Sequence, residues 1–244
     1  MSTLYSPSIV TDGLVLHLDA ANKKSYSGSG TTWYDRSGRG DDLTGYGPDG
    51  NTPTFDSSNS SISFGGNGEK YQSNTNCGVV GDQTLEAVFY EDAGTAPHTT
   101  IMCTDISYQY GIKLMSYKNS DRYGLWIGFG SSNYLVAINE TLVNDVIYHL
   151  LGTYKASSGE VKIYLNGILK KTETIAETGD VSLNNGDITL GIDYHGNSSN
   201  YSLNGNIFLS RVYNKTLTAA EVLQNFNATK SRFGLWAHME IQIL

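Results

Sequence analysis

Val161, Ile163 and Leu165 alternate with polar residues and run straight into Asn166-Gly167, after which Ile168-Leu169 begins a second apolar run. Asn-Gly between two such runs is the strongest short hairpin signal, because both turn positions need a positive φ that Asn and Gly tolerate. The same period of two recurs along the chain. Leu14, Leu16 and Leu18 make one face of a segment, as do Leu85, Ala87 and Phe89, and then Leu125, Ile127 and Phe129. Further strands are expected at Ser61–Phe64, Ile101–Cys103, Gly111–Ser116, Leu135–Asn139, Ile147–Tyr154, Ile188–Ile192 and Gly205–Tyr213. Side chains on alternate faces of a pleated strand produce this pattern when one face meets a core.

Only one segment reads as a helix. Thr218-Ala219-Ala220-Glu221 has the spacing of a capping box, in which the Thr and Glu side chains satisfy two otherwise orphaned backbone N–H groups. Leu217 precedes the cap and can staple onto Val222, and Val222, Leu223 and Phe226 are expected to form its apolar face. Strands spread over the whole length with no linker point to one domain over 1–235, followed by an apolar tail, 236–244. In that tail Met239, Ile241 and Ile243 alternate with polar residues behind Trp236, which suits docking on a partner subunit or a sheet edge.

With 27 glycines against 4 prolines, the 244-residue chain suits many strands joined by tight turns. Its formal net charge of −8, with 16 basic residues thinly spread, supplies no row of cations for phosphates, so nucleic acid is not an expected partner. No apolar run is long enough to cross a bilayer, and residues 1–11 lack the pattern of a secretory signal. Membrane insertion is therefore not expected. Cys77 and Cys103 form neither a disulfide framework nor a zinc cluster and read as buried or half-buried free thiols, with a single bridge between them as the alternative.

Catalytic residues are not apparent. Glycoside hydrolysis needs two carboxylates flanking the scissile bond. The best local candidates, Glu86 with Glu91 and Asp92, are spaced five and six apart, and a residue at i+5 points to the opposite strand face. They read as solvated acids near a strand end. Asp35, in Trp33-Tyr34-Asp35-Arg36-Ser37-Gly38, is the one metal-ligand candidate, although an Asp in such a turn commonly caps its own loop. His17 and Asp19 share a strand face and read as a surface cross-strand contact. Arg39-Gly40-Asp41 spells an adhesive tripeptide but also fits a plain turn. Seventeen tyrosines leave room for a binding surface, since Tyr offers area and a hydroxyl at small entropic cost. Trp126 is out of phase with Leu125 and Ile127 and so faces away from the core. With Tyr134, Tyr194, His195 and Tyr201, which sit in or near polar loops, it completes the set of candidate sugar-stacking residues.

Val10–Ala20 followed by Thr32–Gly38 resembles the opening of laminin-G-like, concanavalin A-like domains of the kind found in bacteriophage virion proteins. Ile147–Tyr154 resembles the central strand of that family, Tyr164-Leu165-Asn166-Gly167 its hairpin, and Asn204–Asn214 its last long strand. Leu217–Val222, Asn227–Lys230 and Arg232–Leu235 are similar to the phage-type ending. The resemblance implies an all-β, two-sheet antiparallel jelly-roll sandwich with one short C-terminal helix. It further implies a non-catalytic head-decoration, head-fibre or tail-associated protein, assembled into a virion in the host cytoplasm. Its partners would be other virion subunits, its own copies and a host surface glycan, and relatives can hold Ca2+ at the rim. A cellular carbohydrate-binding module is the alternative expectation, and a glycoside hydrolase the remote one.

Overall fold

The computed structural model describes residues 8–73, 75, 77–92, 98–104, 109–117, 122–140, 143, 145–181, 187–192 and 201–235. Among them sixteen strands occur in chain order. The first six are β1 (Leu14–Asp19), β2 (Thr32–Trp33), β3 (Leu43–Tyr46), β4 (Thr54–Asp56), β5 (Ser61–Gly65) and β6 (Lys70–Ser73). Then come β7 (Gln83–Glu91), β8 (Thr99–Thr104), β9 (Tyr110–Tyr117), β10 (Arg122–Phe129) and β11 (Asn133–Asn139). The last are β12 (Tyr148–Lys155), β13 (Glu160–Leu165), β14 (Ile168–Thr174), β15 (Ile188–Leu190) and β16 (Asn204–Tyr213), before helix α1 (Ala219–Thr229).

The strands form two eight-stranded antiparallel sheets. Sheet 1 runs β14-β13-β12-β7-β16-β5-β4 with β1 also paired to β16, and sheet 2 runs β11-β10-β9-β8-β15-β6-β3-β2. Non-consecutive neighbours in both orders make this a jelly-roll sandwich. Its core is where the period-two faces meet: Leu85, Ala87, Phe89, Leu150, Ile163 and Val212 of sheet 1 against Ile112, Leu114, Leu125, Ile127, Ile188 and Leu190 of sheet 2.

Two expectations need correction. The Leu14/Leu16/Leu18 alternation slips, because the β1–β16 register shifts between Leu14 and Leu16. Val15, Leu16 and Leu18 all enter the core, while Leu14 packs with Leu151, Tyr164 and Tyr213 on the other side of sheet 1. A bulge turns a side chain to the opposite face, which strict alternation cannot foresee. On α1, Val222 and Phe226 are buried but Leu223 is 48% exposed. The buried positions are 222, 225, 226 and 229, one helical stripe, and Leu223 lies a further 100° round. Asn225 occupies the inward place instead.

The capping box is present: the Thr218 hydroxyl accepts from Glu221 N at 3.3 Å, and the Glu221 carboxylate accepts from Thr218 N at 2.7 Å. Leu217 and Val222 share one buried cluster, as a staple requires. After α1 a short 3-10 turn, Lys230–Phe233, ends at Gly234 with φ of 64°. The Asn166-Gly167 turn has φ of 50° and 76°, as the hairpin demands. A side chain at Gly167 would also run into the Phe226 ring, at 2.7 Å. The hairpin is thereby packed directly beneath the helix. No helix among the described residues is long and apolar enough to cross a membrane.

Candidate functional site

Trp126 stands on the outer face of sheet 2, as its phase on β10 requires, and is half-buried there. A continuous row crosses the sheet at its level. Thr189 pairs with Cys103, Cys103 with Lys113, Lys113 with Trp126, and Trp126 with Leu135. The Lys113 ammonium lies 4.3 Å from the centre of the indole, close enough for cation–π attraction. Gly128 lies under the far edge of the ring, where a Cβ would come within 2.3 Å of it. The indole therefore rests on the sheet rather than swinging free.

Met115 and Tyr117 continue the same face of β9 beyond Lys113. At that end the His98 ring stacks on Tyr201 at 5.7 Å and meets Tyr117 edge-on at 4.9 Å. Tyr201 is held in place where its carbonyl accepts from Thr100 N at 3.1 Å. All three rings are half-buried. The His98 Nδ1 and the Thr100 and Thr189 hydroxyls are buried without a hydrogen-bond partner. Lys113 to Tyr117 spans about 13 Å along the strand at ~3.3 Å per residue. Strands β8–β11 contain no Asp or Glu. On this face Lys113, Met115, Cys103, Thr100 and Thr189 are buried, and the rings of Trp126, His98, Tyr117 and Tyr201 are the part-exposed groups.

The structure divides the candidate residues. Trp126 and Tyr201 share the outer face of sheet 2. Tyr134 does not join them: it sits opposite Ile127, on the core-facing phase, edge-on to Phe129 at 6.1 Å. Tyr194 and His195 lie outside the described residues, as do Trp236, Met239, Ile241 and Ile243 of the tail. His98 and Tyr117 were not singled out from the sequence. Tyr117 does share the parity of Lys113 and Met115, but the β8–β9 register that puts His98 beside it depends on a loop with no turn signature.

Glu86 is the main correction. It is fully buried rather than solvated, on the outer face of sheet 1 beneath α1. Arg211 Nη1 and His149 Nε2 donate to its Oε1 at 2.7 and 2.9 Å, and Asn225 Nδ2 to its Oε2 at 2.8 Å. Burial alone would push this carboxyl up, but the Arg211 charge and the bonds from His149 and Asn225 outweigh it and hold it at about 2. Asn225 also accepts from Val10 N at 2.8 Å and donates to the Tyr213 hydroxyl at 2.8 Å, tying helix, sheet and N-terminal segment together. Glu91 is buried too, on the opposite face, accepting from Ser116 at 2.8 Å and Tyr123 at 2.7 Å. The two acids diverge, as their spacing requires. What the sequence did not show is that both are enclosed.

Asp35 is nearly buried and takes four donors. Its Oδ1 accepts from His17 N at 2.9 Å and Ser37 N at 2.8 Å, and its Oδ2 from Ser37 Oγ at 2.5 Å and Gly40 N at 3.1 Å. A calcium ion at Asp35 would have to displace these bonds. His17 is likewise not a simple surface contact, because its Nε2 is buried and unpartnered. In Arg39-Gly40-Asp41, the Arg39 guanidinium bonds Asp41 at 3.1 Å and the Cys77 carbonyl at 3.1 Å. Asp41 is itself buried, so the tripeptide is a structural turn. Cys77 and Cys103 are both buried free thiols.

No curated protein matches the chain. Among solved structures, domain 4 of the extracellular arabinanase AbnA of Geobacillus stearothermophilus, in complex with arabinotriose, superposes with a TM-score of 0.66 at 18% identity, over 87% of this chain and 97% of that one. The receptor-binding domain of a botulinum neurotoxin of mosaic serotype C/D gives 0.67 at 18% identity, over 89% of this chain and 51% of that one. Trypanosoma rangeli sialidase, bound to the inhibitor DANA, gives 0.60 at 14% identity, over 90% of this chain but 33% of the sialidase. At these identities the likeness is one of fold. The sequence itself matches the family model over residues 64–223, well over half its length, and with the two sheets described above this shows that the chain belongs to the concanavalin A-like lectin/glucanases superfamily.

Proposed function

We propose that this domain is a non-catalytic binding module that takes an oligosaccharide on the outer face of sheet 2, and that it serves as a structural part of a bacteriophage virion. The observation that carries the reading is two part-exposed aromatic groups on the outer face of sheet 2, Trp126 and the His98–Tyr117–Tyr201 cluster, with Lys113 and Met115 buried between them. Sugar rings present apolar C–H faces that stack on such side chains, while flanking polar groups orient their hydroxyls. The fold relative solved with arabinotriose is in keeping with this use of the fold. The absence of Asp and Glu from β8–β11 supports a binding rather than a hydrolytic role, since glycosidases need a carboxylate pair beside the bond they cut. The virion setting rests on the phage-type segments at the two ends of the chain, with Trp236, Met239, Ile241 and Ile243 as the docking residues.

Single-site affinity of such a face is weak and becomes useful through many copies. Beads coated with the protein should therefore bind a subset of a glycan array, and Trp126→Ala should abolish that binding while circular dichroism still reports the folded sandwich. Unchanged binding by the variant would remove the outer face of sheet 2 from the reading. Release of reducing ends from a polysaccharide panel would overturn the non-catalytic role. Antibody against the domain should label intact phage particles from the source culture, and labelling of a secreted enzyme fraction instead would favour a cellular carbohydrate-binding module.

A further inference from the structure

The acids of this protein are divided unevenly between its two sheets. No strand of sheet 2 contains Asp or Glu. The strands of sheet 1 hold Asp19, Asp56, Glu86, Glu91, Glu160 and Glu173. In a chain of formal net charge −8, the strands of sheet 2 are therefore the ground on which an anion meets least repulsion.

Arg122 is mounted on the outer face of that sheet. It shares the phase of Trp126 on β10 and is exposed. It pairs with Tyr117 on one side and Asn139 on the other, and Tyr117 meets the His98 ring edge-on at 4.9 Å. A second row thus crosses the face, from His98 through Tyr117 and Arg122 to Asn139, parallel to the one that ends at Trp126 and Leu135. Lys113 is buried against the indole, whereas the Arg122 guanidinium is open to a ligand. Among the described residues no carboxylate is bonded to it. Between the two rows β10 carries Gly124, flanked by Met115 and Ala137. A Cβ on Gly124 would stand 2.1 Å from the Val136 carbonyl oxygen, so no side chain rises there. Arg122 and Trp126 therefore stand at the two ends of a low stretch of about 13 Å, four residues at ~3.3 Å each.

We infer that Arg122 makes this face selective for an acidic oligosaccharide. One sugar ring lies on Trp126, while a carboxylate further along the same oligomer, that of a uronic or sialic acid, accepts two parallel hydrogen bonds from the guanidinium. This selectivity rests on the reading of the face as a glycan surface and adds the class of glycan it takes. The planar fork of Arg matches a carboxylate as neither Lys nor a neutral side chain does. A span of about 13 Å is too long for one sugar ring, so a ligand that reaches both residues is an oligomer. With no acid on the surrounding strands, the guanidinium is left for the ligand.

Surfaces carrying oligogalacturonate or sialyllactose test this with the whole protein on beads. Each is set beside its neutral counterpart, the same galacturonate oligomer with its carboxyls reduced, or lactose. At least one acidic glycan should bind roughly ten-fold more tightly than its counterpart, the size of one charge-assisted pair. The gap should close as salt is raised, because Arg122 is exposed. Arg122→Gln should bind acidic and neutral glycans alike, at the level the unaltered protein shows for the neutral ones. Arg122→Lys should recover part of the gap, since it restores the charge without the fork. Equal binding of the two counterparts by the unaltered protein, or an acidic preference that survives Arg122→Gln, would overturn the inference. If Trp126→Ala still abolishes binding in that case, the face remains a glycan surface without this selectivity. Failure to bind any glycan, acidic or neutral, would remove both.

Discussion

Glu86 on β7 and Arg211 on β16 are direct cross-strand neighbours, and the guanidinium donates to the carboxylate at 2.7 Å with both side chains buried beneath α1. His149 and Asn225 complete the carboxylate's partners, while Arg211 Nε has none. The guanidinium therefore relies on Glu86 for its compensation. This cluster clamps the helix to the sheet. Removing one partner leaves a buried charge unanswered, which costs about 3–5 kcal/mol.

Glu86→Gln should accordingly lower the unfolding free energy at neutral pH by about 3–5 kcal/mol, measured by denaturant titration. The pH dependence follows from the carboxyl being held at about 2 in the folded protein, below its unfolded value of about 4.3. Stability from this group is complete above the unfolded value and is lost as pH falls from there toward 2. The variant should lose that component of the acid-limb slope. An unchanged slope would show that Glu86 does not drive acid unfolding.

His17 sits beside Arg211 across the β1–β16 pair. Burial, then the Arg211 charge, lower its pKa to about 4. The unfolded chain takes up a proton near pH 6.5 that the folded protein refuses until about 4. Stability should therefore decline as pH falls through this window. His17→Gln should flatten the unfolding midpoint between those pH values, and a profile identical to the unaltered protein would assign the slope to other groups.

Leu16 is fully buried in the core between the sheets. Leu16→Ala should cost about 2–5 kcal/mol, the range for truncating a buried leucine. An unchanged denaturant midpoint would mean that β1 does not contribute to the core as described.

Gly167→Ala tests the packing of the β13–β14 turn under α1. The position has φ of 76°, and an added Cβ would meet Phe226 at 2.7 Å. Backbone strain of this kind costs on the order of 1–3 kcal/mol, and the ring contact adds to it. Thermal melts should show a clear loss. A neutral result would mean that α1 is free to shift away from the hairpin.

Strand existence, the Asn166-Gly167 hairpin and the Thr218–Glu221 cap were legible in the sequence, because each depends on neighbours within a few residues. Alternation reports which face of a strand is apolar, and on this basis Trp126 was correctly turned away from Leu125 and Ile127. The same reasoning separated Glu86 from Glu91, since the pleat alone sends them to opposite faces. What alternation cannot report is what covers the outer face. Helix α1 lies over Glu86 but not over Trp126, and that difference seals one residue in an ionic clamp and leaves the other half-buried on the outer face of sheet 2. His98 came beside Tyr117 through the register of the consecutive β8–β9 pair, and beside Tyr201 only through a contact distant in sequence, as His17 came beside Arg211. Local chemistry determined the elements and their faces. Sheet order, register and the docking of one helix decided which polar residues are enclosed, because desolvation depends on neighbours that the chain supplies from far away.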